Sequence, residues 1–321
     1  MIQTIISALS LLTTKVFAHV GYVVGQHDFE THLGSDPGYF FSPLKDRTDI
    51  LLIAATLLGV FILYFLSWKI KWIRVRIIAL RARLDTYHEF VPWILRLSVG
   101  IAFIGASAAH VLISPTLPHL GLAGVELIVG FALLSGAGLV PAAILGLILF
   151  ITAVAQKPYI FGNAELGASL IALLILGKAR PGLDDLLGVP EFKFEKLKKY
   201  VPTILRFGIG GALVFLSLYE KVLNPHLSEL VVQKFALDTI IPVGAAMWVF
   251  AVGMIELGVG LFILLGFQTR LVSAIAFLVL IVTFFFFKEE VYSHVTLFGV
   301  LSALFITGAG PLSIDALFKR R

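Results

Sequence analysis

Cysteine is absent from this 321-residue chain. That removes disulfide staples, iron–sulfur clusters, thiolate zinc sites, cysteine nucleophiles and dithiol relays together. Charge is scarce as well: Asp, Glu, Lys and Arg make up 14% of the residues, against roughly 25% in an ordinary soluble domain, which excludes a soluble enzyme. Also missing are a glycine-rich phosphate loop behind a strand, a zinc-binding helix motif and a nucleophile elbow. The net charge of +5 would suggest nucleic acid in a soluble chain, but here the location of the charges matters more than their sign, and no nucleic-acid partner is expected.

What remains is apolar. The hydrophobic set is 59% of the chain, and a bilayer-spanning helix takes roughly 20 mostly apolar residues, so the chain holds about nine of them. The fold class is therefore all-α, a polytopic protein whose first partner is the lipid bilayer. Residues 1–18 fit a cleaved signal peptide, with an apolar run from Ile5 to Leu12 and small residues before Ala18. Residues 19–48 are polar and bear Gly and Pro, and read as an exported loop without a core of its own. Spans are expected near 49–68, 91–113, 120–135, 139–155, 164–178, 202–222, 243–265, 271–287 and 294–307. Lys69, Lys71, Arg74, Arg76, Arg81 and Arg83 follow the first span and belong on the cytoplasmic side. The other expected inner segments collect further basic residues up to Arg321, whereas the outer ones hold few. This asymmetry predicts a multi-pass cell-membrane protein with an exported N-terminal loop and a cytoplasmic C-terminus.

An internal repeat organises the rest. VPWILRLSVGIAFIGASAAHVLISP from Val91 aligns without gaps to VPTILRFGIGGALVFLSLYEKVLNP from Val201. Arg96, Gly100, Phe103, Ser107 and His110 step by three or four along one helical face, and Arg206, Gly210, Leu213, Ser217 and Glu220 hold the same places. Glu126 with Gly130 matches Glu256 with Gly260, leaving an insertion over about 225–247 in the second copy. Pro181 and Asp185 close the first copy as Pro311 and Asp315 close the second. With about four spans per copy, both enter the membrane in one direction, as parallel repeats rather than an inverted pair. The expected organisation is an anchor helix and basic loop over 49–90, then four-helix bundles over 91–190 and 191–321.

Ionisable groups inside spans are costly and tend to face a bundle interior or a wet cavity. His110, Glu165, Glu220, Lys221 and His294 fall near the outer helix ends, as contacts for a substrate or quinone. Glu126 lies a turn deeper and Glu256 near mid-depth. Carboxylates there must be protonated or paired, which makes Glu126 and Glu256 the candidate catalytic acids; the bland alternative is one interhelical hydrogen bond each. Arg96 and Arg206, at the inner ends, read as structural, snorkelling to the interface. Glu220 and Lys221 have an equally simple reading as solvated interfacial groups. A haem between His110 and His294 is disfavoured because nothing fixes facing histidines. Copper at His19, with His27 and His32 nearby, is disfavoured against a solvated loop. No metal site is assigned. His119 and His226, each after proline, read as turn chemistry.

The second copy also carries Arg206 with Gly210, Lys221 before Asn224-Pro225, Glu256 with Gly260 and Gly266, and Gly308-Ala309-Gly310-Pro311-Leu312-Ser313-Ile314-Asp315. With these features it resembles the DoxX family of small membrane proteins. The first copy looks like a diverged unit, with His110 and Val111 in place of Glu220 and Lys221. The resemblance implies four-helix membrane bundles, some linked to terminal quinol oxidases and thiosulfate:quinone oxidoreductases, others set in membrane complexes that handle oxidative stress. It places weight on Glu256, Lys221 and Arg206, and less on Glu126 and Arg96. The expected function is a subunit of a quinone-linked membrane redox system, with redox-complex partner subunits and a quinone as the ligand. A permease for a small solute or metal ion and a non-catalytic scaffold are the alternatives.

Overall fold

The computed structural model describes residues 31–115, 117–177, 182–190, 194–288 and 291–319. The signal-peptide reading of 1–18, the copper reading at His19 and His27, and Pro181 of the first closing motif lie outside the described residues. Among the described residues the chain is helical, with one isolated bridge between Val111 and Pro118. The principal helices are α1 (Arg47–Lys69), α2 (Lys71–Asp85), α3 (Val91–Ala108), α4 (Ala123–Ser135), α5 (Leu139–Gln156) and α6 (Ala164–Leu176), followed by α7 (Val201–Leu216), α8 (Pro225–Lys234), α9 (Ala245–Leu265), α10 (Thr269–Phe287) and α11 (Val291–Thr307). Seven candidate spans among the described residues are long and apolar enough to cross a membrane, while α4 and residues 294–307 of α11 are shorter apolar helices. The expected span over 91–113 ends early, because α3 stops at Ala108.

The same local devices build α3–α6 and α7–α11. Pro92 and Pro202 sit in the first turns of α3 and α7, where a missing N–H costs nothing. α4 and α9 each end on a left-handed glycine, Gly136 at φ 68° and Gly266 at φ 68°, the conformation only glycine adopts freely. Gly100 packs on the Gly130 carbonyl and Gly210 on the Gly260 carbonyl, each so closely that a Cβ would stand 2.9–3.0 Å from the opposing oxygen. Ser107 donates to the Ala123 carbonyl at 2.6 Å, and Ser217 to the Gly253 carbonyl at 2.8 Å. The closing aspartate is Asp184 and not Asp185: Asp184 accepts from the N–H groups of Gly138 and Leu139 at 2.7 and 3.0 Å, as Asp315 does from Gln268 and Thr269 at 2.8 and 3.0 Å.

The two sets of helices do not stand side by side. α3 packs chiefly on α4 and on α11, while α7 packs chiefly on α9 and on α6. The leading helix of each set thus lies against the last helix of the other. One apolar cluster runs through both, from Leu95, Phe103 and Leu133 through Leu170 to Leu205, Ile209 and Leu301. By contrast the apolar window of α1 has no buried residues, as a helix surrounded by lipid requires. Asp85 at the end of α2 receives a 2.6 Å bond from Arg270, which ties α2 to the start of α10.

Both arginines are interior. Arg206 is fully buried and donates to the carbonyls of Ala309 (2.7 Å), Leu264 (2.7 Å), Ile263 (3.4 Å), Leu312 (2.9 Å) and Pro311 (3.4 Å). These are the last-turn carbonyls of α9 and those of the closing loop, groups a helix end leaves without partners. Arg96 is also buried, its Nη1 set where a Gly136 Cβ would be. The snorkelling reading is therefore corrected: both side chains are buried, and the Arg206 guanidinium fork finds carbonyls inside the protein and has no need to reach the interface.

Candidate functional site

α7 does not end as a regular helix. It widens into a π-helical turn over Ser217–Leu223 that carries Glu220 and Lys221, a distortion often met at functional sites. Lys221 Nζ lies 2.7 Å from Glu220 Oε2 and 2.8 Å from Glu256 Oε2 on α9. Glu220 Oε1 accepts the hydroxyl of Tyr159, which comes from the 3-10 turn Pro158–Asn163 between α5 and α6. Glu220 has no exposed surface, and the side chains of Lys221 and Glu256 are 9% and 17% exposed. The solvated interfacial reading of Glu220 and Lys221 is thus corrected. Two carboxylates share one ammonium, so the fully ionised cluster carries one uncompensated negative charge, held by a tyrosine hydroxyl. In a low-dielectric interior such a set is stable only when every member is hydrogen-bonded. Removing or adding one proton changes its net charge by one, which is what a proton-exchange site requires.

A segment of the N-terminal loop covers the cluster. Asp36 N–H donates to the Leu223 carbonyl at 3.1 Å, and Phe40, 1% exposed, packs on Phe250. Gly253 lets them meet: a Cβ there would stand 2.8 Å from the Phe40 ring and 2.9 Å from Lys221 Cβ. His226 contacts Glu229 at 2.7 Å and Asp36 at 3.3 Å, with the Tyr39 ring 4.7 Å away. The hydrogen bond that the ring donates to Glu229, followed by that to Asp36, raises the His226 pKa above its ordinary value despite partial burial. Tyr39 is pushed up in turn, first by burial and then by Glu229. The loop has no core of its own and packs on α8 and α9, and the reading of His226 as turn chemistry is corrected, since it lies in the first turn of α8 and pairs with Glu229 and Asp36.

The remaining candidates separate. Glu126 is buried and its Oε1 accepts the Ile113 N–H at 2.9 Å. It pins a loop in which His110 and Ile113 both take positive φ, 56° and 61°, uncommon for residues other than glycine. Glu126 thus meets a backbone amide where Glu256 meets an ammonium. His110 is exposed beyond the end of α3, so it does not share a buried site with His294; without Glu126 facing a cation, the chain has no reason to turn residue 110 inward. Glu165 Oε1 accepts the Thr296 hydroxyl at 3.0 Å, across the contact of α6 with α11, and His294 is buried on the same helix α11. Tyr159 and Thr296 carried no signal in the sequence, because their partners lie on helices distant along the chain.

These features define an all-α polytopic membrane protein with a buried ionic cluster near one end of its bundle. The family model described as DoxX matches residues 201–289, from the start of α7 through α10, which includes Arg206, Glu220, Lys221 and Glu256. The protein is an integral membrane protein carrying a DoxX domain. Neither a curated protein nor a solved structure matches the chain.

Proposed function

We propose that the chain is the quinone-binding subunit of a membrane redox system and that Glu220, Lys221, Glu256 and Tyr159 receive the quinone head group. The observation that carries this reading is the two-carboxylate, one-ammonium cluster buried inside a membrane-spanning bundle, whose edge at Glu256 keeps some exposure. A quinone brings its own two-electron chemistry and its protons, so the protein need supply only hydrogen bonds and a base. Lys221 donates to a head-group oxygen, and Glu256 accepts the proton a quinol hydroxyl releases, with Glu220 and Tyr159 keeping the ammonium in place. The electrons leave to a redox partner subunit, for which the lipid-exposed α1 offers a contact surface. The basic residues after α1 support a cytoplasmic C-terminus and an exported N-terminal loop in the cell membrane.

The test is the quinone content of the purified protein together with quinol oxidation by the protein in its native membrane. Bound quinone that is lost in Glu256→Gln supports the reading. No bound quinone, with full membrane activity in the Glu220→Gln/Glu256→Gln variant, refutes it and leaves a scaffold whose exposed α1 holds a partner.

A further inference from the structure

α2 takes no part in the ionic cluster. Its 15 residues, Lys71–Asp85, stand between the span that ends at Leu66 and the one that begins at His88. Two contacts fix its far end: Leu84 is buried, and Asp85 accepts from Arg270 at 2.6 Å. Arg270 is the second residue of α10, whose span runs Thr269–Phe287. Both ends of α2 therefore lie at the level where spans meet one face of the membrane. A helix of this length reaches only about 22 Å, less than the roughly 30 Å of the hydrocarbon layer, so it cannot join opposite faces. It runs along the boundary.

The residues of this stretch match that position. From Ile50 to Leu84 the chain has no acid, while Lys69, Lys71, Arg74, Arg76, Arg81 and Arg83 fall within it. Lys69, Arg76, Arg81 and Arg83 are exposed. Asp85, the sole acid of α2, is bound to Arg270, so it does not offset them. Apolar residues are exposed on the same helix, Val75 and Leu80. Ile73, Ile77, Leu80 and Leu84 step by four, three and four, the spacing of one helical face. Tyr87, Phe90 and Trp93 follow, all exposed, as aromatic side chains are at the level of lipid head groups. A basic segment that only holds a loop on one side of the membrane requires neither a regular helix nor exposed apolar residues along it.

We propose that α2 is an interfacial helix that binds the phosphate groups of anionic phospholipids in the leaflet on its side of the membrane, the cytoplasmic one in the topology proposed above. Val75 and Leu80 enter the head-group boundary. Arg76, Arg81 and Arg83 donate to phosphate oxygens, which the guanidinium fork fits. Charge complementarity selects this occupant. A lipid phosphate is anionic, lies at the depth where α2 runs, and brings acyl chains on which the exposed apolar residues pack. A nucleic acid supplies phosphates without that apolar surface.

Native mass spectrometry of the full-length protein released from dodecyl maltoside micelles tests it, with dioleoyl phosphatidylglycerol or dioleoyl phosphatidylcholine titrated in. Phosphatidylglycerol is expected to bind at least about fivefold more tightly, the effect of one basic group near an anionic surface. Arg76→Gln/Arg81→Gln/Arg83→Gln should weaken phosphatidylglycerol binding by at least about fivefold and leave phosphatidylcholine binding as it was, whereas Arg76→Lys/Arg81→Lys/Arg83→Lys should keep the preference. Equal binding of the two lipids, or a preference unchanged in the glutamine variant, overturns the proposal. Displacement of phosphatidylglycerol by an equal concentration of inorganic phosphate also overturns it, in favour of a soluble phosphate ligand. A second measurement reads depth. A spin label at Leu80→Cys, the single thiol of a cysteine-free chain, should collide more often with oxygen than with a water-soluble nickel chelate in vesicles of the two lipids mixed. A label that meets the nickel chelate more often than oxygen overturns the proposal and leaves α2 to a soluble partner. Because no quinone enters either measurement, failure of the quinone reading leaves this result intact.

Discussion

Replacing Lys221 by methionine keeps the length of the side chain and removes its charge. The structure sets the consequence. The ammonium is 2.7 and 2.8 Å from two carboxylates and 9% exposed, and Lys221→Met leaves both carboxylates facing each other without a cation. Breaking a buried pair on one side costs roughly 3–5 kcal/mol, because the remaining charge is buried and uncompensated. That is a reduction of about 160-fold to 5,000-fold in the folded-to-unfolded ratio. The triple variant Glu220→Gln/Lys221→Met/Glu256→Gln removes charge from all three positions and should return to within about 1 kcal/mol of wild type, since a neutral set costs little relative to the ion set it replaces. Reversible unfolding in mixed micelles with increasing sodium dodecyl sulfate, followed by circular dichroism, measures all three proteins. A Lys221→Met protein within about 1 kcal/mol of wild type, or a triple variant no better than the single one, refutes the account of the cluster as a charge-balanced unit. If the quinone reading is correct, the triple variant is stable and inactive, which separates function from folding.

The latch at His226 predicts a pH dependence. Its pKa is raised in the folded protein, so its contribution to docking residues 36–45 is complete below about 6.5, its ordinary value, and is lost as pH rises through the raised folded value. Hydrogen exchange in that segment, corrected for the intrinsic rate, should speed up across this window in wild type and not in His226→Gln; equal profiles would discard the latch. Gly253→Ala forces a Cβ to within 2.8 Å of the Phe40 ring, and overpacking of this kind costs about 1–3 kcal/mol. A thiol at Ser42→Cys, half-buried in the same segment and in this otherwise cysteine-free chain, should then become more reactive to an impermeant maleimide, and unchanged protection would show that the segment tolerates the methyl. Asp184→Asn and Asp315→Asn each weaken two charge-assisted bonds to backbone N–H groups. The expected cost is about 1–3 kcal/mol apiece, similar in the two variants by micelle unfolding; a large effect at one position alone would contradict equivalent caps.

The spans, the glycine crossings and the paired acids were legible before any coordinates because they rest on local rules. Apolar runs near 20 residues need the bilayer, and Gly100, Gly130, Gly210 and Gly260 recur at helical spacing with nothing but close packing to explain them. Lys221 and Glu256 were likewise visible as charges in apolar runs. Their meeting was not, nor was the difference between Glu126 and Glu256, which hold matching sequence positions yet bind a backbone amide and an ammonium. That difference follows from residues 110 and 111: histidine and valine let the chain leave the helix, whereas Glu220 and Lys221 extend it into a π-helical turn. The choice of Asp184 over Asp185 turned on a single residue of register, which periodicity does not resolve.

By itself, then, the sequence determined that this protein is a helical bundle in a membrane and that charge is confined to a few interior positions, because each of these follows from residues close together in the chain. Tertiary structure alone decided that α3 lies on α11 and α7 on α6, that Tyr159 reaches Glu220, that residues 36–45 pack over the cluster, and that Glu165 meets Thr296. The physical reason is that apolar helix faces are nearly interchangeable in composition. Which faces pair depends on the shapes of small and large side chains and on the few buried polar groups that must find partners, and those terms exist only when distant segments are brought into contact.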